Sequence, residues 1–192
     1  SWTGRAMSAS YFTNQFLIAM PGMTDPNFAQ SVTLVCEHNA AGALGIVINK
    51  PLKMDLGDVF EQLGLDSRDE QLVRRLVLRG GPVQTDRGFV LHNAGPRFDS
   101  TLDITPQISV TTSRDVLEAI AGGQGPERSL IALGYAGWGG GQLEQEMSAN
   151  AWLSGPADDD IIFRLDPDAR WQAAARLLGV DLNLLSGEAG HA

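Results

Sequence analysis

The sequence predicts a mixed α+β fold, in which about four helices flank a mixed, partly antiparallel β-sheet. Short apolar runs near the start are joined by a tight, glycine-containing connection, which is typical of antiparallel strands. Further along, apolar runs of strand length alternate with segments of helical periodicity. The chain has 192 residues, 43% of them hydrophobic, which is enough for one conventional core.

Three strands are predicted in the first fifty residues. Residues 15–20 (QFLIAM), 31–38 (SVTLVCEH) and 43–49 (ALGIVIN) are apolar and rich in β-branched side chains. Residues 39–42 (NAAG) have the composition of a tight turn. We therefore expect the second and third strands to form an antiparallel hairpin.

The pattern then changes to that of a short amphipathic helix. Asp55 can cap its first turn, and Gly64 can end it in a left-handed conformation. Between them, apolar side chains recur at helical spacing at Leu56, Val59, Phe60 and Leu63.

The middle of the chain predicts three more strands and a second helix. The strands are residues 76–78, 88–92 and 108–112. The helix carries its apolar face at residues 116, 117 and 120, and either Thr112 or Ser113 can cap it.

The last third predicts a buried strand over residues 129–135, a glycine-rich turn over residues 137–141 and a helix over residues 142–150. A final helix opens at Pro167, which suits the first helical position, and stops at Gly179.

We find no repeat, no linker and no low-complexity segment, so a single domain is expected over residues 11–192. Residues 1–10 are interpreted as a flexible leader, in which Met7 is a candidate start of the native chain.

The charge balance argues against nucleic acid as a partner. The chain has 14 basic and 23 acidic residues and a formal charge of -9, so it repels phosphate backbones and anionic membrane surfaces. No apolar run reaches the roughly 20 residues that cross a bilayer. The single cysteine excludes an internal disulfide and is typical of the reducing cytoplasm. A cytoplasmic protein without a membrane partner is therefore expected.

Recognisable catalytic, metal and cofactor motifs are absent from the sequence. Cys36 alternates with other apolar residues of a strand, which favours a structural thiol. Glu37 and His38 could act as acid and base, but they lack a nucleophile motif or a second cluster of metal ligands. Residues 158–160 (DDD) lack calcium-loop spacing and are interpreted as a helix cap or turn. We predict no catalytic residue, metal or cofactor.

Arg87 has the most site-like surroundings. It lies between Asp86 and Gly88, a few residues after the turn that contains Gly81. Glycines admit close backbone approach, and an arginine offers a fork for a carboxylate or phosphate. An Arg–Asp pair that only fixes a hairpin is the alternative interpretation.

Our leading hypothesis is a non-enzymatic binding or regulatory module for a small ligand or a protein partner. Its candidate binding surface consists of polar, loop-adjacent residues and glycines: Glu37, His38, Asn39, Asn49, Lys50, Gly81, Arg87, Gly137 and Gly139. An enzyme that uses Glu37 and His38 is kept as an alternative.

Several segments together resemble the AlgH/YqgE family of bacterial proteins over nearly the whole chain. They are residues 16–21 (FLIAMP), 25–28 (DPNF), 37–39 (EHN), 45–51 (GIVINKP), 80–83 (GGPV), 86–89 (DRGF), 111–117 (TTSRDVL), 133–138 (LGYAGW), 142–146 (QLEQE), 150–153 (NAWL) and 190–192 (GHA). The resemblance implies a compact mixed α/β domain of the bacterial cytoplasm and supplies no active site. It also brings the label of a transcriptional regulator, so direct action on DNA is a further alternative. The acidic chain has no basic recognition helix to support it.

Overall fold

The computed structural model describes residues 11–185, which form two compact units. The first unit contains residues 11–49 and 136–185, and the second contains residues 50–135. The predicted leader and the 190–192 motif lie outside the described residues. The single domain stays a prediction.

The first unit is built on an antiparallel sheet with the order β10–β1–β2–β3–β9. Its strands are β1 (Gln15–Ala19), β2 (Val32–Asn39), β3 (Gly42–Val47), the last four residues of β9 (Ser129–Gly139) and β10 (Trp152–Pro156). The β2–β3 hairpin is confirmed, because Asn39 pairs with Gly42 across a two-residue turn.

Helices pack on this sheet in the same unit. They are α4 (Gln142–Ser148), α5 (Asp159–Phe163), a 3₁₀ turn (Pro167–Ala169) and α6 (Arg170–Leu177). The carboxylate of Asp158 accepts a hydrogen bond from the N–H of Ile161, so the acidic run does cap a helix. One core cluster consists of Leu17, Ala19, Val35, Ala136, Trp138, Leu143 and Trp152.

The second unit has a mixed sheet with the order β4–β5–β9–β6–β8–β7, in which only the β5–β9 pair is parallel. Its strands are β4 (Pro51–Asp55), β5 (Leu76–Arg79), β6 (Val83–Asn93), β7 (Thr101–Asp103), β8 (Ile108–Thr111) and the first seven residues of β9.

The helices of the second unit are α1 (Leu56–Leu63), α2 (Glu70–Val73) and α3 (Asp115–Ala121). The predicted caps of α1 are both present. Asp55 and Asp58 exchange backbone-to-carboxylate hydrogen bonds, and Gly64 ends the helix at φ 69°. The core contains Leu56, Val59, Phe60, Val77, Val90, Val116, Leu117, Ile120 and Ile131.

The structure confirms the mixed α+β class and the four longer helices. It adds short elements that the pattern did not predict, among them β4, β7, β10, α2 and α5. None of the helices in the described part of the chain is long and apolar enough to cross a membrane.

Two local predictions were wrong. Residues 137–139 continue β9 instead of turning, because they pair with β3. Neither Thr112 nor Ser113 caps α3, which begins later, at Asp115. The hydroxyl of Ser113 instead donates to the carboxylate of Asp115, 2.5 Å away.

Candidate functional site

Strand β6 carries a large bulge in the middle of the second unit. Val83 pairs with Tyr135, and Gly88 pairs with Leu133, so residues 84–87 lie opposite one residue of β9. Bulges of this kind redirect side chains and are common beside functional sites. We call residues 84–87 the β6 bulge.

Gly134 of β9 is the residue opposite the β6 bulge, and its lack of a side chain permits the bulge. A Cβ atom there would lie 2.5 Å from the carbonyl oxygen of Gly81, and the backbone has φ 79°. Both conditions select glycine. Gly81, a predicted site residue, is buried, and its carbonyl oxygen lies close to Gly134.

The β6 bulge presents polar side chains to solvent, because residues 84–87 are all exposed. The guanidinium of Arg87 lies 5.4 Å from the centre of the Phe89 ring and donates to Oε1 of Gln84 at 3.3 Å. Arg87 and Phe89 are two residues apart and share one face of the strand.

The other face of β6 borders a cavity of about 410 Å³ within the second unit. Asp86, Gly88 and Val90 line it from the strand. A Cβ atom on Gly88 would meet nothing within 4 Å, so this wall is open. Most of the apolar lining comes from Met54, Val59, Leu63, Val90, Leu117 and Leu133. The volume is within the range of small-molecule sites.

Asp86 supplies a free negative charge at the cavity. Among the described residues, no donor is within hydrogen-bonding distance of its carboxylate. Arg114 also lines the cavity, but its Nη2 donates to the carbonyl oxygen of Leu63 at 2.6 Å. The remaining polar lining comes from Gln62, Thr111, Thr112 and Ser113.

The structure brings other predicted residues together in the first unit. Glu37 and Gly137 flank the same residue of β3, and Asn39 and Gly139 flank the residue two positions earlier. All four are exposed. Asn39 accepts a hydrogen bond from the hairpin N–H of Ala41, which gives its amide a local role.

His38 is fully buried, and its carboxylate partner is Glu144 rather than Glu37. Its Nδ1 accepts a hydrogen bond from the N–H of Phe12 at 2.9 Å, so the ring proton resides on Nε2. Nε2 lies 3.0 Å from Oε1 of Glu144. Both nitrogens are occupied, so the geometry supports a structural role more than acid–base chemistry.

Glu146 forms a polar cluster that sequence reasoning missed. Its Oε1 accepts from the indole N–H groups of Trp138 at 3.1 Å and Trp152 at 2.9 Å, and its Oε2 accepts from Gln142. Gln142 in turn accepts from the N–H of Gly139. These hydrogen bonds connect α4 with β9 and β10.

Asn49 and Lys50 are both withdrawn from solvent. The side-chain oxygen of Asn49 accepts from Val32, and its amide donates to the carbonyl oxygen of Gln30. Lys50 is half-buried, and burial lowers the pKa of its ammonium group. Cys36 is buried as well, and desolvation raises its pKa to about 12, which matches a structural thiol.

The cavity was not predictable from composition, although two of its walls carry distinctive segments. Asp86 and Gly88 belong to the DRGF segment, and residues 111–114 and 117 belong to TTSRDVL. The sequence signal that could have indicated the bulge beside the cavity was the presence of glycine in the two segments that approach each other at Gly81 and Gly134. Their crossing depends on the pairing of β6 with β9, which is not a local property.

Comparison with known proteins confirms the family resemblance. A family model described as AlgH-like matches residues 16–183. A UPF0301 protein of Thioalkalivibrio sulfidiphilus is 60% identical over 185 residues, which are 96% of this chain and 99% of that protein.

Two solved structures share the fold. The AlgH protein from Pseudomonas aeruginosa is 55% identical, with a TM-score of 0.78 over 95% of this chain and 97% of that one. A protein from Corynebacterium diphtheriae is 20% identical, with a TM-score of 0.72 over 97% and 99% of the two chains. The second likeness shows the fold alone.

Proposed function

The chain belongs to the AlgH-like family, and from the geometry of its second unit we propose that it is a non-enzymatic binding module for a small molecule. The observation that supports this most is the cavity of about 410 Å³ beside the β6 bulge. It has an open wall at Gly88 and a carboxylate at Asp86 that accepts no hydrogen bond from the described residues. Apolar cavities with a few convergent polar groups are typical ligand sites.

The lining of the cavity defines the class of ligand. Its apolar walls suit an aliphatic or aromatic body, which contributes affinity through burial. Arg114 donates one of its N–H groups to the carbonyl oxygen of Leu63, whereas the Asp86 carboxylate accepts no hydrogen bond at all from the described residues. The ligand that fits is therefore an apolar molecule with a cationic or hydrogen-bond-donating end directed at Asp86.

Binding without catalysis agrees with the surroundings of the titratable groups. The buried His38 has both nitrogens engaged, and the Cys36 thiol stays protonated at neutral pH. Cytoplasmic location is part of this proposal and is supported by the single cysteine. Regulation would then follow from ligand occupancy, through a protein partner, rather than from direct contact with DNA.

The experiment is an amide NMR titration of the full chain with hexylammonium, which has an apolar body and one positive charge. We expect localised shifts at Gly88, Val90 and Thr112. Asp86→Asn should weaken binding by about threefold to fivefold, because the charge pair is solvent-exposed. The neutral analogue 1-hexanol should bind wild type and Asp86→Asn alike.

The matched control is Arg87→Ala, the neighbouring charge on the opposite face of β6. It should leave hexylammonium affinity within about twofold, since only a screened surface charge is removed. Shifts spread over the whole surface, or an equal loss in both variants, would contradict binding in this cavity.

A further inference from the structure

A second cavity of the second unit, of about 590 Å³, is lined by Arg75, which forms no ion pair with the carboxylates of the described residues. It lies between residues 66–72 and the loop after α3, and it shares no lining residue with the cavity at Asp86. Arg75, the residue immediately before β5, is part of this lining.

In the part of the chain that the structure describes, the guanidinium of Arg75 has only neutral partners. Its Nη1 donates to the hydroxyl of Ser129 at 3.1 Å, and its Nη2 donates to the carbonyl oxygen of the same residue. A guanidinium has five N–H donors, so three are still available for a ligand. Within residues 11–185, no carboxylate lies at ion-pairing distance from Arg75.

This arrangement leaves a half-buried positive charge without a counter-charge. Burial lowers the pKa of Arg75, and no neighbouring acid opposes the shift. Arg170 in the first unit is a useful contrast, because it also donates to backbone carbonyls, but the charge of Asp166 supports its protonated form. A cation withdrawn from water is stabilised when an anion joins it.

We propose that this cavity binds a small organic acid, whose single carboxylate pairs with Arg75 while its apolar body lies against Leu72 and Ile120. A planar carboxylate matches the guanidinium fork. The cavity is also lined by a second, exposed arginine, Arg68, and by three exposed carboxylates. These carboxylates, which repel anions of higher charge, belong to Asp66, Asp69 and Glu127. The site therefore selects a monocarboxylate over a phosphate. This inference is independent of the proposed function.

The test is an amide NMR titration of the full chain with hexanoate at constant ionic strength. Shifts are expected at Ser129, Ile120 and Gly123, and not at Gly88. Arg75→Gln should weaken hexanoate binding about tenfold or more, as should replacing hexanoate by the neutral hexanamide, because a charge-assisted hydrogen bond is lost. Inorganic phosphate should bind more weakly than hexanoate.

Arg74→Gln is the matched control, because this neighbouring arginine is exposed and does not line the cavity. The Arg74→Gln variant should bind hexanoate as tightly as wild type does. Arg75 also donates a hydrogen bond to Ser129, so its replacement could disturb the local structure. A second variant, Ala121→Leu, therefore fills the cavity while Arg75 stays in place. Unchanged binding in Ala121→Leu, or hexanamide binding as tightly as hexanoate, would overturn the proposal. Phosphate binding as tightly as hexanoate would overturn the monocarboxylate assignment.

Discussion

At the scale of single residues, His92 connects a buried chain of hydrogen bonds in the second unit. Its Nδ1 is 2.9 Å from the carbonyl oxygen of Asn93, and its Nε2 is 2.7 Å from the hydroxyl of Thr111. That hydroxyl lies 2.9 Å from the hydroxyl of Thr101. Protonation of Nε2 would remove the acceptor of the first hydroxyl, and burial lowers the pKa of His92 below its ordinary 6.5.

This lowered pKa predicts a loss of stability in acid. Below about pH 6.5 the unfolded chain takes up a proton at His92 that the folded chain resists, so stability falls as the pH drops from 6.5 toward the lowered pKa. Urea unfolding at pH 7.5 and 5.5 should show this decline, and His92→Gln should show a smaller one. Equal declines in the two proteins would contradict the assignment.

Residue types alone did not distinguish candidate ligand-binding groups from structural ones. His38 and Glu144 are 106 residues apart, and Asn49 and Val32 are 17 apart, so neither partner was visible locally. Asp86 was noted only as the neighbour of Arg87. Its place at the cavity follows from the course of the chain through the β6 bulge, which depends on the pairing of β6 with β9.

At the scale of elements, α1 was predictable from end to end because its signals are local. Asp55, the helical spacing of apolar residues and Gly64 all lie within ten residues. By contrast, β7 has only three residues and pairs with the adjacent β8, whereas β4 and β10 have five residues each and exist through pairing with strands that are distant in the sequence. The β6 bulge has the same origin.

The cap of α1 gives a prediction at this scale. Asp55→Ala removes the capping-box hydrogen bond that the Asp55 carboxylate accepts from the N–H of Asp58, and should lower the free energy of unfolding by about 1 kcal/mol. Chemical denaturation measures the change. Glu61→Ala on the exposed face of the same helix is the control and should stay within about 0.5 kcal/mol of wild type. Equal effects would show that the cap does not stabilise the helix.

At the scale of the whole molecule, the charge of -9 argues against direct action on DNA. Fluorescence anisotropy with a labelled duplex should show no binding at 50 or 150 mM salt, since the chain has few cations with which to neutralise phosphates. Tight binding that weakens steeply with salt would instead support a DNA-level regulator.

The measurement that tests the central claim most directly compares wild type with Gly88→Val in the hexylammonium titration. Gly88 has no positive φ, and a Cβ atom there meets nothing within 4 Å, so the strand accepts valine while the cavity loses room. We predict localised shifts at Val90 and Thr112 in wild type and none in a folded Gly88→Val variant. Equal shifts in both proteins would contradict ligand binding in the cavity beside the β6 bulge.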